Sequence, residues 1–157
     1  MTADAIEIEM FYPYPVEQVW AALTDSEALG VWLMPNDFAP RVGHRFTFRT
    51  TPDNNWNGIV HCQVVEVDRL HRIAYTWRGD TNQWETLVTF TIEPAEGGTR
   101  LRLEHSGFAS GGNVGLTIRD LLASGWNSRV LREKLPALLR ERATKLKMTN
   151  LTDEKEN

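Results

Sequence analysis

The chain has 157 residues, a net charge of −4, and 41% hydrophobic against 24% charged residues. That describes one globular domain whose core needs no staples, since a chain of this size buries about 68–70% of its unfolded surface. The charge lacks the basic footprint of a nucleic-acid binder, no apolar run approaches the roughly 20 residues of a membrane span, and Cys62 alone allows no internal disulfide.

The opening Met1-Thr2-Ala3-Asp4-Ala5 has neither the basic nor the apolar region of a secretion signal. With a lone cysteine suited to a reducing compartment, a cytoplasmic location is expected. Residues 5–12 alternate Ile6, Ile8 and Met10 against Glu7 and Glu9, the pattern of a strand with one buried face. Pro13 and Pro15 end it. Val16, Val19, Trp20 and Leu23 then mark a short helix, and Asp25-Ser26-Glu27 opens a second through Leu29 and Trp32.

Strands follow. Residues 45–50 alternate Phe46 and Phe48 against arginines, and residues 52–55, Pro-Asp-Asn-Asn, are turn chemistry. A long strand over 58–68 leaves His61 ambiguous: Ile59, Val65 and Val67 share its parity, while Val60, Cys62 and Val64 share the other, and a bulge would reconcile the two. Ile73, Tyr75 and Trp77 mark the next strand, residues 78–83 a turn, and Val88, Phe90 and Ile92 the strand after it. Leu101, Leu103 and His105 share one face of the last strand. The short connections fit antiparallel neighbours. Residues 106–115 hold four glycines and are the loosest stretch, read either as a lid or as a plain connection.

The rest of the chain wraps around a long helix over 114–147. Ile118, Leu122, Trp126 and Val130 recur every four residues, and Leu131, Leu135, Leu138 and Leu139 continue the stripe. Pro136 removes a backbone donor and is expected to bend it. From Arg119 to Lys147 the charge is +5, leaving −9 for the remainder. That is a solvated face or a docking surface for an acidic partner. One domain over 1–146 is expected, with a polar, poorly ordered tail over 147–157.

The order strand, two short helices, sheet meander and long C-terminal helix resembles the START-like helix-grip fold of the SRPBCC group. Four segments narrow the likeness: residues 15–25 with Leu29 and Trp32; Val64-Val65-Glu66-Val67-Asp68 leading to Tyr75-Thr76-Trp77; Gly98-Thr99-Arg100-Leu101 leading to His105-Ser106-Gly107-Phe108; and Gly125-Trp126. Together they resemble the domains similar to the activator of the ninety-kilodalton heat-shock chaperone ATPase. The resemblance implies an α+β fold in which a curved six-stranded antiparallel sheet grips the helix over a hydrophobic cavity. It implies ligand carriers, cyclase- or hydrolase-like enzymes and chaperone regulators alike, so fold does not settle function.

The residues favour a binding site. A Cys62–His61 nucleophile pair fails because neighbouring strand residues point to opposite faces. No HExxH, paired histidines, phosphate loop or dinucleotide fingerprint is present, so neither metal nor cofactor is expected. An apolar cavity with a few polar groups would draw on Phe48, His61, Tyr75, Trp77, Phe90, His105, Trp126 and Arg129. The leading expectation is non-catalytic binding of an apolar or aromatic small molecule. The alternatives are an enzyme using His105 as acid/base with Tyr75 as donor, and a protein-interaction module, a chaperone being one such partner, working through the basic helix face. The ligand readings require a closed pocket larger than a few waters, and a fully packed interior would leave only the interaction module.

Overall fold

Alternation in the sequence becomes six antiparallel strands in a single sheet, ordered β1-β6-β5-β4-β3-β2. They are β1 (Ile6–Tyr12), β2 (Arg45–Arg49), β3 (Ile59–Asp68), β4 (Arg72–Gly79), β5 (Thr86–Ala95) and β6 (Gly98–Ser106). The computed structural model describes residues 5–52, 57–79 and 84–156, except for the side chains of Ser128, Arg129 and residues 147–156. The expected turns at 52–55 and 78–83 fall largely outside those residues. The fold is α+β, an open curved sheet gripping a long C-terminal helix, with two short helices after the first strand.

The helix pair, α1 (Val16–Thr24) and α2 (Ser26–Trp32), lets β1 leave the meander and return to it beside β6. Asp25 caps α2 by accepting from the Glu27 amide. Fully buried Trp32 donates its indole N–H to the Ala22 carbonyl at 2.8 Å, which fixes the corner between the two helices.

In β3 the register shifts between Val64 and Glu66, leaving Val65 as the extra residue of a bulge. Val60, Cys62 and Val64 face the core before it, and Val67 packs on the core after it. This resolves the mixed parity, and it puts His61 on the outer face with Gln63. His61 therefore does not line the interior, contrary to expectation.

The helical region runs from Gly112 to Glu156, longer at both ends than the apolar stripe suggests. It comprises α3 (Gly112–Gly125), a π-helical stretch (Trp126–Lys134) and α4 (Leu135–Glu156). A turn that closes on the fifth residue places Trp126 and Leu131 on one face. Those two are buried, whereas Val130, four residues after Trp126, is only partly so. The glycine-rich approach is packed tight: Gly111 lies against the Trp84 ring and Gly115 against the Phe108 carbonyl, so a Cβ at either would collide. A loose lid at this segment is not what forms.

Pro136 lies just beyond the end of the wide turn. The Leu135 N–H bonds the Val130 carbonyl five residues back, and Pro136 has no N–H to offer Leu131 in the next position. The Tyr12 hydroxyl fills that gap, donating to the Leu131 carbonyl at 2.8 Å and tying β1 to the helix. Burial pushes the Tyr12 hydroxyl pKa up, only partly opposed by Arg132, so it stays a donor. Tyr12→Phe should cost about 1–3 kcal/mol by leaving a buried carbonyl unpaired. In a Pro136→Ala background the new amide can serve Leu131, and the cost should shrink. Urea denaturation of the four proteins of this cycle checks it; an equal cost in both backgrounds would refute the account.

Candidate functional site

The inward residues of β2 to β6 build an aromatic interior under Trp126. At one end stands Tyr75, fully buried on β4 opposite Val64, next to the bulge. Its ring centroid lies 5.3 Å from Phe46, 6.0 Å from Phe48, 6.2 Å from Phe38 and 6.4 Å from Phe90. At the other end Trp126 lies 5.7 Å from Trp77 and 6.0 Å from Phe90. These ring pairs are tilted or edge-on, the arrangements that aromatic quadrupoles favour.

His105 is fully buried between these walls, and its partners settle its protonation. The Trp126 indole can only donate, and it does so to Nδ1 at 3.3 Å. Nε2 must then carry the proton and donate to Thr86 Oγ1 at 2.7 Å. The Thr86 hydroxyl in turn donates a hydrogen bond to the Trp77 carbonyl at 2.8 Å. Burial, with no anion to offset it, pulls the His105 pKa down to about 3. Both nitrogens are engaged in a neutral ring, so His105 has no free site from which to move a proton.

Tyr75 is the opposite case. Its hydroxyl is buried and has no hydrogen-bond partner among the described residues. Burial drives its pKa well above the ordinary value, with Cys62 adding to the effect, so it is a neutral phenol with a hydrogen to give. Burial likewise pushes the Cys62 thiol up, with Asp37 contributing, which leaves it inert as a nucleophile.

The structure thus gathers Phe48, Tyr75, Trp77, Phe90, His105 and Trp126 into one interior. His61 stands outside it, and the Arg129 side chain lies outside the described residues. Sequence reasoning missed Phe38 and Thr86. Thr86 could have been found, because it continues the parity of Val88, Phe90 and Ile92. Phe38 could not, since it sits in an aperiodic stretch between Pro35 and Pro40.

The rings pack against one another, and among the described residues three clefts of about 370 to 500 Å³ open at the surface. One runs between the edge strand β1 and the helix. Another lies on the outer side of β2 and β3 and takes in His61, Asp37, Phe46 and Cys62. The third is an apolar groove between α1 and α4. None is the enclosure expected between sheet and helix. Of the +5 on the helix, Asp25 from outside it takes up one charge, pairing with Arg142 at 2.6 Å; the Lys145–Glu141 pair at 3.2 Å is already counted within it. The hydrogen bond from Arg142 holds the Asp25 carboxyl below its usual range. Among the described residues no group of His, Cys, Asp and Glu could hold a metal, and no helix is long and apolar enough to cross a membrane.

Comparison with known proteins places this geometry. The profile of the family described as activator of Hsp90 ATPase homolog 1-like protein matches residues 13–140. The solved structure of protein MLL2253 from Mesorhizobium loti is 34% identical with a TM-score of 0.76, over 87% of this chain and 97% of that one. Protein BH1534 from Bacillus halodurans is 28% identical with a TM-score of 0.69, over 86% and 96%. A protein from the dynemicin biosynthetic locus, DynU16, shares the fold at 22% identity and a TM-score of 0.72, over 88% of this chain and 48% of its own. No curated protein matches the chain.

The buried neutral histidine has a pH signature. Its pKa is near 6.5 unfolded and about 3 folded. Above 6.5 both states are neutral there and the contribution to stability is complete. As the pH falls through that window only the unfolded state takes the proton, costing up to about 1.4 kcal/mol per unit. His105→Gln should lose less stability than the parent between pH 6.5 and 4 by thermal or urea unfolding. Parallel profiles would show that His105 is not buried neutral.

Proposed function

The chain belongs to the family of activator of Hsp90 ATPase homolog 1-like proteins, and we propose that it is a non-catalytic binder of an apolar or aromatic small molecule held at Tyr75 between sheet and helix. The observation that carries this reading is the Tyr75 hydroxyl. Burying a hydroxyl without a partner costs roughly 1–3 kcal/mol, and native proteins seldom bear that cost without a reason such as a ligand. The surrounding rings supply apolar contact, and the hydroxyl supplies one directional bond, the usual composition of a small-molecule site. His105 and Thr86 hold the opposite wall still, and both His105 nitrogens and the Thr86 hydroxyl hydrogen are already engaged.

A closely packed interior is expected to leave only the interaction module; the unpartnered Tyr75 hydroxyl is the reason to keep the ligand reading, which then requires a side chain to yield to the ligand. An acid/base enzyme finds no support at His105, for the reasons of tautomer and occupancy above. A protein-interaction module is the second reading. It is favoured by Val114 and Leu121, seven residues apart on one side of α3 and about two-thirds exposed at 67% and 70%. That reading leaves the Tyr75 hydroxyl unexplained.

Tyr75→Phe separates these readings. Without ligand the variant should be as stable as the parent or about 1 kcal/mol more so, because an unpaired buried hydroxyl is removed. Its affinity for the neutral aromatic ketone prodan, followed by the blue shift of its fluorescence, should fall about fivefold, the worth of one hydrogen bond. Native mass spectrometry of freshly purified protein should show a co-purifying small molecule. Failure of the parent to bind prodan, or equal binding by both proteins, would sink the interior-ligand reading and leave the interaction module.

A further inference from the structure

The segment 33–44 between α2 and β2 has no helix or strand of its own, yet it sends one ring into the interior. Phe38 is 6% exposed and stands edge-on to Phe46 at 5.1 Å and to Tyr75 at 6.2 Å. The other rings around Tyr75 belong to Phe46, Phe48 and Phe90, whose backbones are held in the sheet ladder. Phe38 itself has no ladder partner. The segment is tied to the sheet on either side of it, by the Asn36 bridge to Phe48 and the Arg49 N–H to the Pro35 carbonyl before it and by the Gly43 N–H to the Val64 carbonyl after it. Between these ties Phe38 is placed by local side-chain bonds. Its amide donates to Asn36 Oδ1 at 2.9 Å, and its neighbour Asp37 is tied by His44 Nε2 to its carbonyl and by the Thr47 amide to its carboxylate. Bonds of this kind break singly, whereas a strand residue cannot leave without opening a ladder.

We propose that Phe38 is a plug: its ring occupies the place that an aryl group of the bound ligand takes beside Tyr75, and the ligand presents a carbonyl or ether oxygen to the Tyr75 hydroxyl. This rests on the interior-ligand reading and adds the ligand class and the side chain that yields to it. Exchange of ring for ring conserves volume, the substitution that packed cores tolerate best. The wall around Tyr75 is made of rings and the protonated Cys62, so the part of the ligand lodged there is uncharged. A neutral phenol that lacks a partner donates most favourably to a carbonyl or ether oxygen. The glycine-rich connection is not free to yield in the same way, since Gly111 and Gly115 are pressed against Trp84 and Phe108.

Acetophenone and ethylbenzene, nearly matched in shape but differing in the acceptor, are the probes, with binding read by calorimetry and ligand-observed NMR. Removing the plug should raise affinity, because the binding-competent state no longer has to be reached by displacing Phe38. Phe38→Ala should bind acetophenone at least tenfold more tightly than the parent, and Phe38→Leu should show a smaller gain in the same direction. Phe90→Leu, which trims a strand ring instead, should bring no gain. In the Phe38→Ala background, Tyr75→Phe should abolish the preference for acetophenone over ethylbenzene. Should Phe38→Ala fail to fold, Phe38→Leu against Phe90→Leu carries the comparison. In the parent, amide exchange at 36–43 should change on binding while that of β4 and β5 does not. Equal affinities in parent and Phe38 variants, or an acceptor preference that survives Tyr75→Phe, would overturn the plug. If the parent binds prodan in a Tyr75-dependent manner but the Phe38 variants show no gain, the plug fails and the interior site stands. If neither parent nor variants bind any of these aromatics, both fail together.

Discussion

The wide turn that ends beside Pro136, a residue with no amide hydrogen, is the constraint on which the rest of this molecule depends. An α-helical continuation would keep a four-residue rhythm and set Trp126 and Val130 on one face. Here the chain closes on the fifth residue instead, and Trp126 and Leu131 become the buried pair. The wider turn would leave the Leu131 carbonyl without a bond inside the core. Tyr12, the last residue of β1, supplies it from the far end of the chain. The wide turn and the proline beside it thus go together with the buried helix face and with the way the first strand meets the helix. The histidine tautomer follows from the buried Trp126, since the indole N–H meets His105 Nδ1.

The interior so formed holds no net charge. His105 is neutral, and Tyr12, Tyr75 and Cys62 are all held protonated by burial. The ion pairs lie on the surface, as between Arg100 and Glu93 or Arg102 and Glu7, where such pairs contribute little to stability. A core of this kind cannot recognise an ion without a large desolvation cost. Discrimination inside it falls to shape and to the few polar atoms with unused bonding capacity. Both His105 nitrogens, the Thr86 hydroxyl hydrogen and the Trp126 indole N–H are already engaged; the Tyr75 hydroxyl is not.

Period-two alternation made the strands legible in the sequence, and four-residue recurrence made the helix legible. The same patterns brought Phe48, Tyr75, Trp77, Phe90, His105 and Trp126 together before any coordinates. Where reasoning from period failed, a local departure from regular geometry was the cause. The bulge at Val65 reverses parity halfway along β3, so residues on either side argue for opposite faces and His61 could not be placed. The π turn displaces the stripe by one residue, so Val130 looked inward and Leu131 carried the burial. The glycines at 111 and 115 suggested looseness, whereas they serve close approach, since glycine answers both needs and composition cannot tell them apart. Phe38 had no period to betray it.

These irregular places are also where the fold can differ between relatives without losing its frame. Sheet and helix are over-determined by ladders and packing, so a one-residue change in bulge or turn is absorbed locally while the architecture persists. Proteins that share the architecture at 22% identity therefore need not share an interior. In this chain the bulge lies opposite Tyr75, the π turn carries Trp126, and the aperiodic segment carries Phe38. All three departures border the one aromatic enclosure. Regular structure builds the wall, and the irregularities at Val65, ahead of Pro136 and around Phe38 decide which side chains face into it.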